Sequence, residues 1–316
     1  MKPDVLTFYS EGEQCSAWHF PGVGDGFAGA AGRPLVVMAH GFGGTKDSGL
    51  QPFAERFSAA GLDVLAFDYR GFGASEGSPR QSVSVDRQLA DYAAAVSAAQ
   101  RLPGVDAARV VLWGSSFSGS HVLRTAARCN DVAGVIAMTP LTSGLAASRA
   151  AVAHRDVGSA LRWTLVGLKS RVAVARGGAP TLIPLAAPPG EPGALALDGA
   201  YESYLSIAGP TWRNEVDAGI GMELIRIRTA AAAKSLKCPV LVQIADFDRF
   251  VPADSVVKTA VQARAQVHHY PCDHFDVWPG HDWFDTAVED QLRFLTRSLA
   301  GASRRAGTQI AADTGT

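Results

Sequence analysis

Residues 110–121, VVLWGSSFSGSH, set four serines within six positions behind an apolar run. A serine attacks an acyl carbon only when its hydroxyl is lifted clear of the backbone and a base lies within reach. A sharp turn from a buried strand into a helix does the lifting, provided that the residues two before and two after the serine are small. Ser116 has Gly114 before it and Ser118 after it, with Gly119 next. Ser115 would place Phe117 at a close-approach position, and Ser118 would place Ser116 and Ser120 there. Ser116 is therefore the candidate nucleophile; the competing reading is a helix N-terminus capped by serine.

Three other segments carry the residue types that this chemistry needs. HGFGG, 40–44, is a glycine-rich loop that can aim backbone N–H groups at an oxyanion, with the amides of Phe42 and Phe117 as expected donors. A phosphate-binding loop would need a Walker lysine at the right spacing, which is missing, and His40 is expected to be structural. IADFDRFVPADS, 244–255, puts an acid just beyond an apolar run, where a carboxylate can reach a histidine. Asp248 is the first choice and Asp246 the second, and either could simply cap a turn. HHYPCDHFDVWPGH, 268–281, supplies His274 in a loop. His268 and His269 fall inside the preceding strand, where sheet packing is expected, and His281 sits near the start of the last helix.

The elements that must position these residues follow from apolar patterning. PLVVMAH (34–40), LDVLAFDY (62–69), RVVLWG (109–114), VAGVIAM (132–138), PVLVQIA (239–245) and AQVHHYP (265–271) read as strands. Most are continuously apolar, as parallel strands covered on both faces are. Between them lie helical patterns, among them 84–102, with Val85, Leu89, Tyr92 and Val96 on one face, and 283–299, capped by Asp282. Segments 4–9 and 14–19 read as a hairpin. The predicted fold class is α/β, a mainly parallel central sheet with helices on both faces. Residues 141–237 are too long for a strand-to-strand connection. They carry helical patterns of their own (Leu161, Leu165, Leu168; Tyr204, Leu205; Met222, Leu224, Ile225) and a proline-rich loop. They are expected to form a helical cap inserted into a core made of 1–140 and 238–300, with 301–316 a disordered tail.

HGFGG, DYRGFGASEG (68–77), GSSFSG (114–119), DFDRFVP (246–252) and DHFD (273–276), in this order, resemble the α/β-hydrolase superfamily over residues 33–140 and 238–300. The order Ser116, Asp248, His274 is that of the family's triad. The resemblance implies a serine hydrolase acting on an ester, thioester or lactone of an apolar small molecule through an acyl-enzyme on Ser116, with no cofactor and no metal. Family members with aspartate at the turn open epoxides or remove halides, and serine here excludes those. An acyltransferase or thioesterase of secondary metabolism is the alternative, a peptidase a third. A non-catalytic small-molecule-binding module on the same fold belongs to another class. Asp68 and Arg70 are expected to serve loop architecture. Two departures from the family pattern, Ser118 for glycine and Ala245 for glycine, are both small.

Composition closes off other partners. The chain has 316 residues, 47% hydrophobic and 19% charged, with a formal net charge of −1. That charge steers neither nucleic acid nor an anionic membrane towards the protein. No apolar run approaches the roughly 20 residues that span a bilayer, and the first residues are too charged for a signal peptide. Cys15, Cys129, Cys238 and Cys272 are scattered, which suits reduced thiols rather than zinc or disulfides. A cytoplasmic protein acting on an apolar acyl substrate is expected, and a homodimer remains open.

Overall fold

The computed structural model describes residues 1–129, 131–153 and 157–313, with the side chains of 150–160 and 301–313 left out of the description. An eight-stranded sheet runs in the order β1 (Asp4–Ser10), β2 (Glu13–Phe20), β4 (Asp63–Phe67), β3 (Arg33–Ala39), β5 (Val105–Ser115), β6 (Val132–Met138), β9 (Val240–Ala245), β10 (Gln266–Tyr270). The last six are parallel, and β1 and β2 pair antiparallel at one edge. The β1–β2 hairpin closes through Glu11 and Gly12, both at positive φ, which suits the twist of a two-residue turn. The six strands read from the sequence all form, with ends shifted by a few residues. Every side chain of β4 and β9 is buried, as continuous apolar runs require under helices on both faces.

Helices α1 (Leu50–Ala59) and α10 (Phe284–Asp313) touch each other on one side. Helices α2 (Val85–Ala99) and α3 (Phe117–Ala126) pack together on the other. Ser84 caps α2, accepting from the Arg87 N–H. Asp282 is exposed, and the first bonds of α10 go to backbone: Phe284 N–H to the His281 carbonyl and Ala287 N–H to that of Trp283. Helical backbone continues to Asp313 through most of the stretch expected as a tail, and 314–316 lie outside the described residues.

Between β6 and β9 the chain forms α4 (Gly144–Ala153), α5 (Val157–Ala175), β7 (Leu182–Ile183), α6 (Ala200–Ile207), β8 (Val216–Asp217), α7 (Ile220–Leu224) and α8 (Ala230–Ser235). Helix α9 (Ala253–Gln262) then returns the chain to β10. The insert is tied to the core at loop 81–85. Buried Glu223 accepts the Val85 N–H at the start of α2 (2.9 Å), and buried Asp217 accepts from Ser82 (2.9 Å).

Candidate active site

The sheet reverses its winding at β3, which lies between β4 and β5, and a crevice opens at the carboxyl ends of strands at such a point. Register fixes what meets there. Ala39 pairs with Gly114, so loop 40–44 and Ser116 leave the sheet side by side. Tyr270 pairs with Ala245, so Asp248 and His274 leave it together two strands further on.

Ser116 has φ 54° and ψ −114°, a backbone conformation that side-chain-bearing residues rarely adopt. Its N–H donates to the Met138 carbonyl (2.9 Å) and its carbonyl accepts from Leu141 (2.8 Å), so the neighbouring strand end holds the turn. A Cβ on Gly114 would collide with the Ser118 carbonyl, which is the close approach expected of this position. Gly41 is confined less severely, since its Cβ would stand 3.1 Å from that of Ser116. Ser118 is fully buried with its Oγ 2.6 Å from the Tyr69 hydroxyl. The place usually held by glycine thus accommodates a hydroxyl because Tyr69 partners it. Among the described residues, neither the Phe42 nor the Phe117 amide has a hydrogen-bond partner.

His274 Nδ1 lies 2.6 Å from Asp248 Oδ2, and both side chains are 4% exposed. The other carboxylate oxygen of Asp248 accepts the N–H groups of Phe250 and Val251, both at 2.8 Å. The acid is therefore oriented by its own turn, and Nδ1 carries the proton that faces it. The rings of Phe250 and Phe275 flank the imidazole at 5.3 and 5.2 Å. Arg249 pairs with Asp273 (2.5 Å) and clamps the acid loop to the histidine loop. Burial opposes the charge on Asp273, but hydrogen bonds from the Arg249 and His274 backbones and the Arg249 guanidinium hold its carboxyl below the usual range.

Asp246 is engaged elsewhere, 2.6 Å from His269 on the exposed edge. His268 meets Asp290 at 2.9 Å, so both strand histidines face carboxylates rather than filling the sheet. His40 is buried, its Nδ1 2.9 Å from the Gly41 carbonyl, and burial lowers its pKa. Arg70 pairs with buried Asp91 (2.5 Å), and Asp68 accepts the Lys46 ammonium (2.5 Å), which makes both loop residues architectural.

Ser116 and His274 line one cavity with Phe42, Phe275 and Trp278, and no hydrogen bond joins Ser116 Oγ to His274 Nε2. The cavity is small, about 20 Å³, room for a single water. Tyr204 and Ile207 of α6 roof it, and Tyr204 donates to the Phe42 carbonyl (3.1 Å). Sequence reasoning placed Tyr204 in a helix of the insert but gave neither residue a part in the site, because a tyrosine and an isoleucine in a short helix carry no local signal of what they will cover.

A family model described as serine aminopeptidase, S33, matches residues 30–272. The quorum-quenching protein AidA of Acinetobacter baumannii (strain MDR-ZJ06) is 36% identical over 298 residues, 93% of this chain and 95% of that protein. The thiohydrolase aneE of Aspergillus aculeatus is 35% identical over 159 residues, half of this chain and 49% of its own length. The polyketide transferase GrgF of a Penicillium species is 34% identical over 140 residues, 44% of this chain and 45% of that protein. The crystal structure of GrgF superposes with a TM-score of 0.78 at 22% identity over 95% of this chain and all of that one, a likeness of fold. With the family model matching residues 30–272 and a relative 36% identical over 93% of the chain, the chain belongs to the S33 serine aminopeptidase-like family of α/β hydrolases.

Proposed function

We propose that the protein is a serine hydrolase that cleaves an ester, thioester or lactone bond of an apolar small molecule through an acyl-enzyme on Ser116. The observation that carries this reading is the buried His274–Asp248 pair, 2.6 Å apart, sharing a cavity with a serine held at positive φ. In the proposed reaction Ser116 Oγ attacks the acyl carbon and His274 Nε2 takes its proton, a contact that tightens when substrate is bound. Asp248 keeps the imidazole in the tautomer that leaves Nε2 free and balances the imidazolium. The amides of Phe42 and Phe117 bond the tetrahedral oxyanion, each such donor being worth roughly 10²–10³ in rate. The imidazolium then protonates the departing alkoxide or thiolate. Water, deprotonated by His274, releases the acid and restores Ser116.

The cavity walls favour an apolar acyl group, with Phe42, Phe275, Trp278, Tyr204 and Ile207 around the serine. No carboxylate lines the cavity that could receive a substrate ammonium, which argues against aminopeptidase action. Glu215 faces Arg213 (2.7 Å), and Asp217 is buried against Ser82 and Ser170. Transfer of the acyl group to a second molecule is the alternative reading, favoured by the likeness to a polyketide transferase and a thiohydrolase over about half of the chain.

Intact mass after treatment with a fluorophosphonate tests the nucleophile in wild type, Ser116→Ala and His274→Ala. One adduct on the wild type alone is expected, and p-nitrophenyl esters and acyl thioesters of rising chain length then define the acyl group that is accepted. No adduct on folded wild type would bring forward a binding module without catalysis.

A further inference from the structure

Helix α5 is oriented against the usual rule for a surface helix. Its inward side mixes half-buried Trp163, Val166 and Val174 with polar anchors: Ser170 is buried and donates to Asp217 (2.6 Å), and Arg171 at its flank pairs with Glu223 (2.8 Å). Gly167 lets the helix press onto the insert, since a Cβ there would stand 2.7 Å from the Ala218 carbonyl oxygen. Its outward face is apolar. Leu161, Leu165, Leu168 and Val172, spaced by four, three and four, form one stripe and are 61%, 50%, 51% and 40% exposed. A surface helix normally turns such a stripe to the core, and a contiguous exposed one marks a contact site.

The charges beside the stripe say what the contact is. Arg162, Lys169 and Arg176 are all exposed and recur every seventh residue, so they form a line roughly 60–100° around the helix from the leucines. None of the three has an ion-pair partner among the described residues, and α5 contains no aspartate or glutamate. A second copy laid along this face would bring cationic lines together with no carboxylate on either helix to answer them. A layer of anionic headgroups answers all three and takes the leucines into its acyl boundary.

We propose that α5 is a peripheral membrane-binding surface that lies flat on anionic lipid. No described helix is long and apolar enough to cross a membrane, and none needs to, because a helix of 19 residues, about 28 Å long, with a leucine stripe beside a line of cations, can adsorb in the plane of the interface. The feature is local, on a chain whose net charge of −1 gave no hint of it.

Flotation of the full-length chain with phosphatidylcholine vesicles, with and without one quarter phosphatidylglycerol, tests this. Wild type should float with the anionic vesicles, and binding should weaken as salt rises. Replacing Arg162, Lys169 and Arg176 with glutamine should lower partitioning roughly five-fold per charge, about a hundred-fold in all. Leu165→Asp with Leu168→Asp should abolish it. These positions are solvent-exposed, so melting temperatures should stay within a few degrees and separate lost binding from lost folding. Wild type that stays in the aqueous phase at low salt, or variants that float equally well, would overturn the proposal. So would a dimer by light scattering that Leu165→Asp and Leu168→Asp dissociate while no vesicle is bound, which would assign the stripe to self-association.

Discussion

Asp246 and Asp248 stand two residues apart beyond one strand, and their surroundings give them opposite fates. Asp248 spends one oxygen on His274 and the other on two backbone N–H groups, whereas Asp246 meets a half-exposed histidine at the sheet edge. Asp248→Asn should therefore lower kcat by roughly 10⁴, by presenting the wrong tautomer, and Asp246→Asn should leave kcat within a few-fold. Steady-state rates on a p-nitrophenyl ester with both folded variants check this, and the reverse ranking would move the acid to Asp246. A different histidine is expected to contribute to acid sensitivity. His121 is fully buried beside Gln88 (3.0 Å), and burial lowers its pKa to about 3. The unfolded chain holds a proton on this imidazole below pH ~6.5 while the folded chain refuses it down to about 3, so the unfolded state binds more protons across that window. Stability is thus complete above pH ~6.5 and falls as the pH drops, by roughly 1–2 kcal/mol from this residue at about pH 5.5. Urea midpoints at pH 7.5 and about 5.5 should show the loss in wild type and a smaller loss in His121→Gln. Equal losses in both would assign the acid sensitivity elsewhere.

At the scale of elements, one buried carboxylate of the insert carries an anchor to the core. Glu223 receives the first N–H of α2 with one oxygen and Arg171 with the other, while 99% buried. Glu223→Ala strands a helix-end N–H and a half-buried guanidinium together, so a loss of about 3 kcal/mol is expected. Limited proteolysis should then cut within 141–237 before the core, and uniform protection would show that other contacts hold the insert. This anchor joins residues 138 apart in sequence, which is why no local pattern announced it. The sheet, by contrast, was legible, because the parallel strands other than the edge strand β10 are largely buried on both faces and write nearly continuous apolar runs. The serine turn was legible through Gly114, whose smallness the strand–helix crossing demands. Periodicity placed a helix at α5 with Leu161, Leu165 and Leu168 on one face, but not where that face points, and Ser170 and Arg171 turn it outward.

At the scale of the whole molecule, the site is narrow. Its cavity, about 20 Å³, leaves little room for an acyl chain beneath Tyr204 and Ile207, so a long chain would be admitted by α6 shifting off the core. Both flanks of α6 are pinned, by Arg249 to the Asp198 carbonyl (2.6 Å) and by the Thr211 N–H to Asp47 (2.9 Å). Between them Tyr204 hydrogen-bonds the Phe42 carbonyl while its ring packs against Phe275 and Trp212. Tyr204→Phe keeps the ring contacts and removes that bond, worth about 0.5–1.5 kcal/mol. If opening limits access, kcat/KM should rise roughly two- to ten-fold for long-chain acyl esters, which need the roof raised furthest, and change little for acetyl esters. The opposite pattern has its own meaning. Phe42 contributes both the carbonyl that Tyr204 holds and an amide assigned to the oxyanion, so a loss of kcat at every chain length would make Tyr204 a brace for that loop rather than a latch. A chain-length series on wild type and Tyr204→Phe separates the two, and only a gain that grows with chain length supports the latch.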